Sequence, residues 1–155
     1  MAGPELYSEP VTNWFRSLDD AVLVRPESLA EALDQLTSND QAAITAGGTY
    51  YLRLARFGGA CAPVLVDLGL IAELREIADL PDGRVRIGSM VVHARTAGNE
   101  MGSRVPVLAE AARRIAGPAV RNLATIGGNV VIDWDLMAPL LAQNCHVEIA
   151  SVRGM

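Results

Sequence analysis

Apolar positions along this chain fall into short runs broken by proline, glycine and charged residues, and the runs alternate between two spacings. Val22-Leu23-Val24-Arg25 predicts a short strand closed by Pro26. Ser28 then opens a helix, and Glu31 completes a capping box, in which the two side chains satisfy amides of the first turn. Leu29, Ala32, Leu33 and Leu36 recur at i, i+3, i+4 and i+7, one apolar stripe of a helix that ends near Thr37. Ala42 to Ala46 predicts a buried strand running into Gly47-Gly48-Thr49, which completes a βαβ-like unit. Pro63 to Leu68 predicts a further apolar strand, and Pro81-Asp82-Gly83 a turn between the runs Leu74 to Leu80 and Arg84 to Gly88, a hairpin pattern. His93 to Met101 is weakly helical. Val107 to Ala116 is a stronger helix, with Leu108, Ala111, Ala112 and Ile115 on one face, stopped by Gly117-Pro118. A loop with Arg121 and Asn122, a second glycine pair with an apolar run, a short helix from Asp135 to Gln143 and a strand from His146 to Ala150 complete the pattern.

The sum is an α+β chain: residues 1–20 an N-terminal arm, 21–60 a small βαβ-like first lobe, and 61–155 a second lobe with a mixed sheet and helices. With 155 residues, 50% of them hydrophobic and 20% charged, the chain has enough apolar surface to fold, which excludes a disordered protein. The net charge is −5 and no basic run exceeds Arg113-Arg114, so a nucleic-acid partner is not expected. Ala60 to Leu74, the longest nearly apolar stretch, carries Asp67 and Glu73 and is too short to span a bilayer. No secretory signal pattern opens the sequence, so Cys61 and Cys145 are expected to be reduced thiols of a cytoplasmic protein, and no Cys/His spacing suggests a metal.

The aromatic fraction is 5%, while there are 14 glycines, and two clusters of them carry the candidate chemistry. Ala46-Gly47-Gly48-Thr49 and Thr125-Ile126-Gly127-Gly128-Asn129 each join a glycine pair to a hydroxyl residue beside an apolar segment. Glycine lets backbone approach a ligand closely, and successive free amides form a nest for phosphate oxygens. Neither cluster is a GxGxxG or a P-loop motif. One such pair is more often a tight turn than a ligand site; two of them put the readings level.

Together with Val66-Asp67-Leu68, Ile87-Gly88-Ser89 and Val120-Arg121-Asn122-Leu123-Ala124, these clusters stand in the order and spacing of one family. From about Val22 to Ser151 the chain resembles the FAD-binding subunit or domain of molybdenum hydroxylases, such as xanthine dehydrogenase and the carbon monoxide dehydrogenase medium subunit. The resemblance implies a two-lobed FAD-binding fold of the p-cresol methylhydroxylase type. It implies FAD as cofactor, with electrons passing from a molybdenum cofactor through iron–sulfur clusters to FAD and on to an acceptor. Carried onto this sequence, Ala46, Gly47, Gly48, Thr49 and Tyr50 would bind the FAD pyrophosphate region from the first lobe. Thr125, Ile126, Gly127, Gly128 and Asn129 would close on it from the second, and Asp135 would sit near the ribose or ribityl hydroxyls. No general acid or base is implied. Iron–sulfur and molybdenum-cofactor subunits are the implied partners, and an oligomer is expected because apolar surface would need covering.

The chain departs from the family pattern at Tyr50-Tyr51, at Val92 where threonine is usual, and in a shorter, more apolar segment after Asn129. Beside the family it also looks C-terminally shortened, with an incomplete second lobe. Those departures leave a second reading: a family-derived assembly subunit that has lost tight FAD binding, or a small non-redox biosynthetic enzyme. Trp14, Trp134, Tyr50 and Tyr51 could stack on a flavin, although in an aromatic-poor chain such residues are more often core or interface residues; Trp134 is the best stacking candidate. His93 is expected at the surface or as a cap. Arg121 is open between an anion contact and hydrogen bonds to nearby carbonyls, and Asp133 and Asp135 between helix caps and a ribose contact.

Overall fold

The computed structural model describes residues 21–57 and 61–151. The expected N-terminal arm, with Trp14, and the junction of the two lobes at residues 58–60 lie outside them. Strands β1 (Val22–Val24), β2 (Ala42–Thr45) and β3 (Val64–Asp67) form one parallel sheet in the order β1-β3-β2. Val64 of β3 aligns with Val22 on one side and with Ala42 on the other. Helix α1 (Leu29–Ser38) connects β1 to β2 and buries Ala32 against Val66 and Ile71. Its start is the one the sequence predicts: the Ser28 side chain accepts from the Glu31 N–H, while Glu31 reaches back to the Glu27 N–H. The strand Val64–Asp67 lies beyond the expected lobe boundary, yet it is the middle strand of this sheet. An ion pair between Arg25 and Asp67, 3.0 Å long, ties the ends of β1 and β3 together.

Two single-turn 3-10 segments, Leu68–Leu70 and Ala72–Arg75, lead to the hairpin of β4 (Ile77–Asp79) and β5 (Val85–Ile87). The Pro81-Asp82-Gly83 turn works as predicted, with the Leu80 N–H bonded to the Arg84 carbonyl and Arg84 folded back onto Asp82. After the hairpin the chain is helical. Elements α3 (His93–Thr96), α4 (Asn99–Arg104), α5 (Pro106–Arg114) and α6 (Pro118–Arg121) are followed by α7 (Ile126–Val131) and α8 (Met137–Ala142). The main core lies among them: Val91, Met101, Leu108, Ala109, Ala112, Ile126, Leu136 and Leu140 pack as one cluster. Burying one leucine such as Leu108 or Leu136 contributes about 1.5–3 kcal/mol, which is why segments of one or two turns hold as helices here.

Several elements differ from the sequence reading. The glycine pair at Gly127-Gly128 lies inside α7 rather than in a loop, and residues after Tyr50 form a further helix, α2 (Tyr51–Arg56). The expected helix at Asp135 starts later, at Met137. The expected strand from His146 to Ala150 does not form; Val147 and Ile149 stand exposed, and the segment pairs with nothing among the described residues. Alternation alone does not make a strand without ladder hydrogen bonds, and this segment makes none with β1 to β5.

Candidate functional site

Strand β2 ends at Thr45 and runs directly into the first glycine cluster. Gly48 has φ +68°, a left-handed conformation that glycine adopts without strain and that turns the chain into α2. Gly47 does something different. It packs so closely on the Leu123 peptide that a Cβ there would overlap the Leu123 carbonyl oxygen and lie 2.6 Å from its carbon. The first cluster is thereby seated on the backbone that immediately precedes the second. Among the described residues the amides of Gly47, Gly48 and Thr49 donate to no protein acceptor.

In the second cluster the backbone amides of Ile126, Gly127, Gly128 and Asn129 are instead committed. Thr125 bridges antiparallel to Val92, with the His93 N–H on the Ala124 carbonyl and the Ile126 N–H on the Val91 carbonyl. The Gly127 N–H donates to the Ser89 carbonyl at 2.8 Å, and Ser89 also fills the space where a Gly127 Cβ would sit, at 2.6 Å. The Thr125 hydroxyl caps α7 by accepting from the Gly128 N–H at 3.2 Å. Asn129, buried, accepts from the Leu136 N–H at 2.9 Å through Oδ1 and turns Nδ2 towards His93 Nε2 at 3.5 Å. These bonds lock the segment that carries Trp134 and Asp135. Tyr50 meets Trp134 edge to face, ring centroids 5.3 Å apart, so an aromatic pair closes from one cluster to the other.

Between them lies a cleft of about 260 Å³ lined by Thr49, Arg53, His93, Ile115, Ala116, Val120, Ala124, Asn129, Trp134 and Asp135. Of the residues expected to bind a ligand, Thr49, Asn129 and Asp135 line it directly, and Tyr50 closes on its Trp134 wall. Ala46, Gly47 and Gly48 form the turn leading to Thr49; Thr125, Ile126, Gly127 and Gly128 form the framework behind Asn129. Arg121 takes the structural alternative and donates to the Ile115 carbonyl at 2.9 Å and to that of Ala116. That clamp holds two cleft-lining residues, one of them Ala116 with φ 45°.

Two cleft residues escaped the sequence reading. Arg53 projects from α2, one turn beyond the glycine pair, and its side chain forms no ion pair among the described residues. His93 is not a surface residue: it is 1% exposed, and its Nδ1 is buried without a hydrogen-bond partner. Burial pushes its imidazole below the ordinary histidine value, opposed by the nearby Asp135 carboxylate. The ring is neutral in the folded chain near pH 7, whereas the unfolded chain titrates near the ordinary value of about 6.5. Above that value both states are neutral. As pH falls below it the unfolded chain takes up the proton first, so stability is lost until pH drops through the folded value. Melting temperature should therefore fall between pH 7.5 and about pH 5.5, and a His93→Asn variant should show a shallower fall over the same range. Equal slopes would show that His93 does not titrate differently on folding.

A cleft lined by Thr49 at the end of a turn with free backbone amides, one unpaired guanidinium, an acidic side chain and an aromatic wall suits a ligand with both an anionic and a hydroxylated part. Among the described residues no cluster of three or more His, Cys, Asp and Glu side chains could hold a metal ion, and no helix is long and apolar enough to cross a membrane.

Comparison with known proteins bears on the fold and the family. The chain is 37% identical over 141 residues to the xanthine dehydrogenase FAD-binding subunit of Escherichia coli O157:H7, a match covering 88% of this chain and 48% of that protein. It is 36% identical over 135 residues to the nicotine 6-hydroxylase medium subunit of Paenarthrobacter nicotinovorans, covering 83% and 47%. Among solved structures it is similar to carbon monoxide dehydrogenase from Hydrogenophaga pseudoflava, with TM-score 0.68 and 36% identity over 71% of this chain and 39% of that one. The chain thus spans about half the length of the curated relatives it matches, and it shares the fold of their FAD-binding subunits. Residues 15–155 match the FAD-binding domain of molybdopterin dehydrogenases, and the chain belongs to that family.

Proposed function

We propose that this chain is the FAD-binding part of a molybdenum hydroxylase-like oxidoreductase, holding a section of FAD in the cleft between the two glycine clusters. The observation that carries the reading is the open nest: Gly47, Gly48 and Thr49 present unused amides beside Arg53, as a diphosphate requires. The residues fit the cofactor. Gly47 seats the turn that carries Thr49 on the Leu123 peptide, Asp135 offers a carboxylate to hydroxyl groups, and Trp134 offers an aromatic face. The cleft, of about 260 Å³, would take a section of the dinucleotide.

Bound FAD supplies the redox chemistry, receiving electrons from an iron–sulfur partner and passing them to an acceptor. The chain's own residues bind and orient. Gly47, Gly48 and Thr49 donate to phosphoryl oxygens, and Arg53 balances their charge. Tyr50 and Trp134 close the cleft, and Asn129 fixes the Trp134–Asp135 segment. In this reading Thr125, Ile126, Gly127 and Gly128 build the wall on which the first cluster rests. In this reading the first lobe would include β3, the middle strand of its sheet. Partner subunits bearing the iron–sulfur clusters and the molybdenum cofactor, and a cytoplasmic location, belong to the same proposal. Exposed apolar side chains such as Val131, Leu141 and Ile149 give those partners a surface to cover.

Equilibrium titration of FAD into the purified chain, followed by flavin fluorescence, should saturate at one FAD per chain. Gly48→Val, which forces a β-branched residue into a left-handed turn beside Leu52, should weaken binding at least tenfold. Fluorescence unchanged by the wild-type chain would reject the proposal.

A further inference from the structure

We infer that His93 is a ligand-binding residue of this cleft, its Nδ1–H donating to an oxygen acceptor of the bound FAD. The inference rests on the FAD reading but concerns a residue that the glycine clusters do not include. The Leu136 N–H donates to Asn129 Oδ1 at 2.9 Å, which makes Nδ2 the end of the amide that faces His93. Nδ2 carries only donors, so the His93 Nε2 it approaches, at 3.5 Å, is the lone-pair nitrogen. In a neutral imidazole the proton then resides on Nδ1. That atom is buried and bonded to nothing in the protein, although the ring lines the cleft together with Thr49, Trp134 and Asp135.

A buried N–H without an acceptor costs free energy, and such groups are rare unless something else satisfies them. The remainder of the ring is held firmly: its own backbone N–H is fixed on Ala124 and its Nε2 faces Asn129. The donor is therefore preorganised, and a hydroxyl or phosphoryl oxygen of the cofactor is the acceptor chemistry that completes it. Asp135, on the same cleft, would serve the opposite role and accept from a hydroxyl.

Two substitutions separate this role from a structural one. His93→Asn places an amide near the position of Nδ1 and keeps a donor for the ligand while losing the contact to Asn129. His93→Gln reaches the position of Nε2, keeps the contact to Asn129 and removes the ligand donor. FAD affinity measured by fluorescence titration should fall roughly tenfold or more in His93→Gln and only a few-fold in His93→Asn. The reverse order would overturn the inference while leaving FAD binding by the wild-type chain intact. Loss of wild-type binding would be the separate failure of the reading beneath it. Nitrogen NMR of the wild-type ring supplies a readout that needs no variant. The free chain should show the Nδ1–H tautomer, and FAD should shift that proton downfield; an Nε2–H tautomer, or a ring signal indifferent to FAD, would overturn the assignment.

Discussion

Gly47→Ala is expected to destabilise the chain by about 3 kcal/mol, as a methyl group forced against the Leu123 carbonyl must push the two glycine clusters apart. Neither side of that contact can yield cheaply. Leu123 and Ala124 are pinned by the bonds of their amides to Val120 and of the Ala124 carbonyl to His93, and Gly47 continues directly from β2. In a chain of this size the cost corresponds to a fall of roughly 6–12 °C in melting temperature. FAD affinity should fall with it, because Thr49 and Arg53 are positioned by the same turn. Gly117→Ala is the matching control. No atom lies within 4 Å of the added Cβ and φ is an ordinary −88°, so stability should stay within about 0.5 kcal/mol of wild type. A Gly47→Ala chain as stable as the Gly117→Ala chain would show that the clusters are not in backbone contact.

Asn129→Leu should cost about 2–4 kcal/mol, although it replaces a buried polar residue with an apolar one of similar size. Both ends of the Asn129 amide are in use, and Leu136, whose N–H would be orphaned, is fully buried in the main core. Asn129→Asp should recover part of the loss by restoring an acceptor for Leu136, while its charge beside the ring should raise the His93 pKa. Urea denaturation of the three chains checks the order wild type, Asn129→Asp, Asn129→Leu. If Asn129→Leu were as stable as wild type, Asn129 would be a ligand contact alone, with no part in holding the Trp134–Asp135 segment.

The parts of the fold that local chemistry controls are legible in the sequence. Ser28 and Glu31 mark the start of α1, Pro81-Asp82-Gly83 marks the hairpin, and the apolar stripe from Leu108 with Gly117-Pro118 beyond it marks α5. Strand order is not legible in this way. β1 and β2 look like partners because only one helix separates them, but β3 pairs with both, and that choice depends on which apolar faces meet across the sheet. Helix α7 is hidden for a similar reason: Gly127 and Gly128 have poor helix propensity, and the segment is helical because Thr125 caps it and Ile126 is buried in the core. At the site, the two clusters are visible as glycine motifs, but the division of labour between them is not. Free amides at Gly47–Thr49 and committed ones at Ile126–Asn129 follow from the pairing with Ser89 to His93, a contact between segments far apart in sequence. His93 was hidden for the same reason, since nothing in its neighbours' polarity signals that the Val92–Thr125 bridge buries it.

The central claim is that FAD sits on the first glycine cluster and is walled by the second. Following the FAD titration through backbone amide resonances tests it most directly. The amides of Gly47, Gly48 and Thr49, together with the Trp134 indole, should shift progressively and saturate at one FAD per chain. Shifts confined to residues outside the cleft, or none at any FAD concentration, would contradict the account.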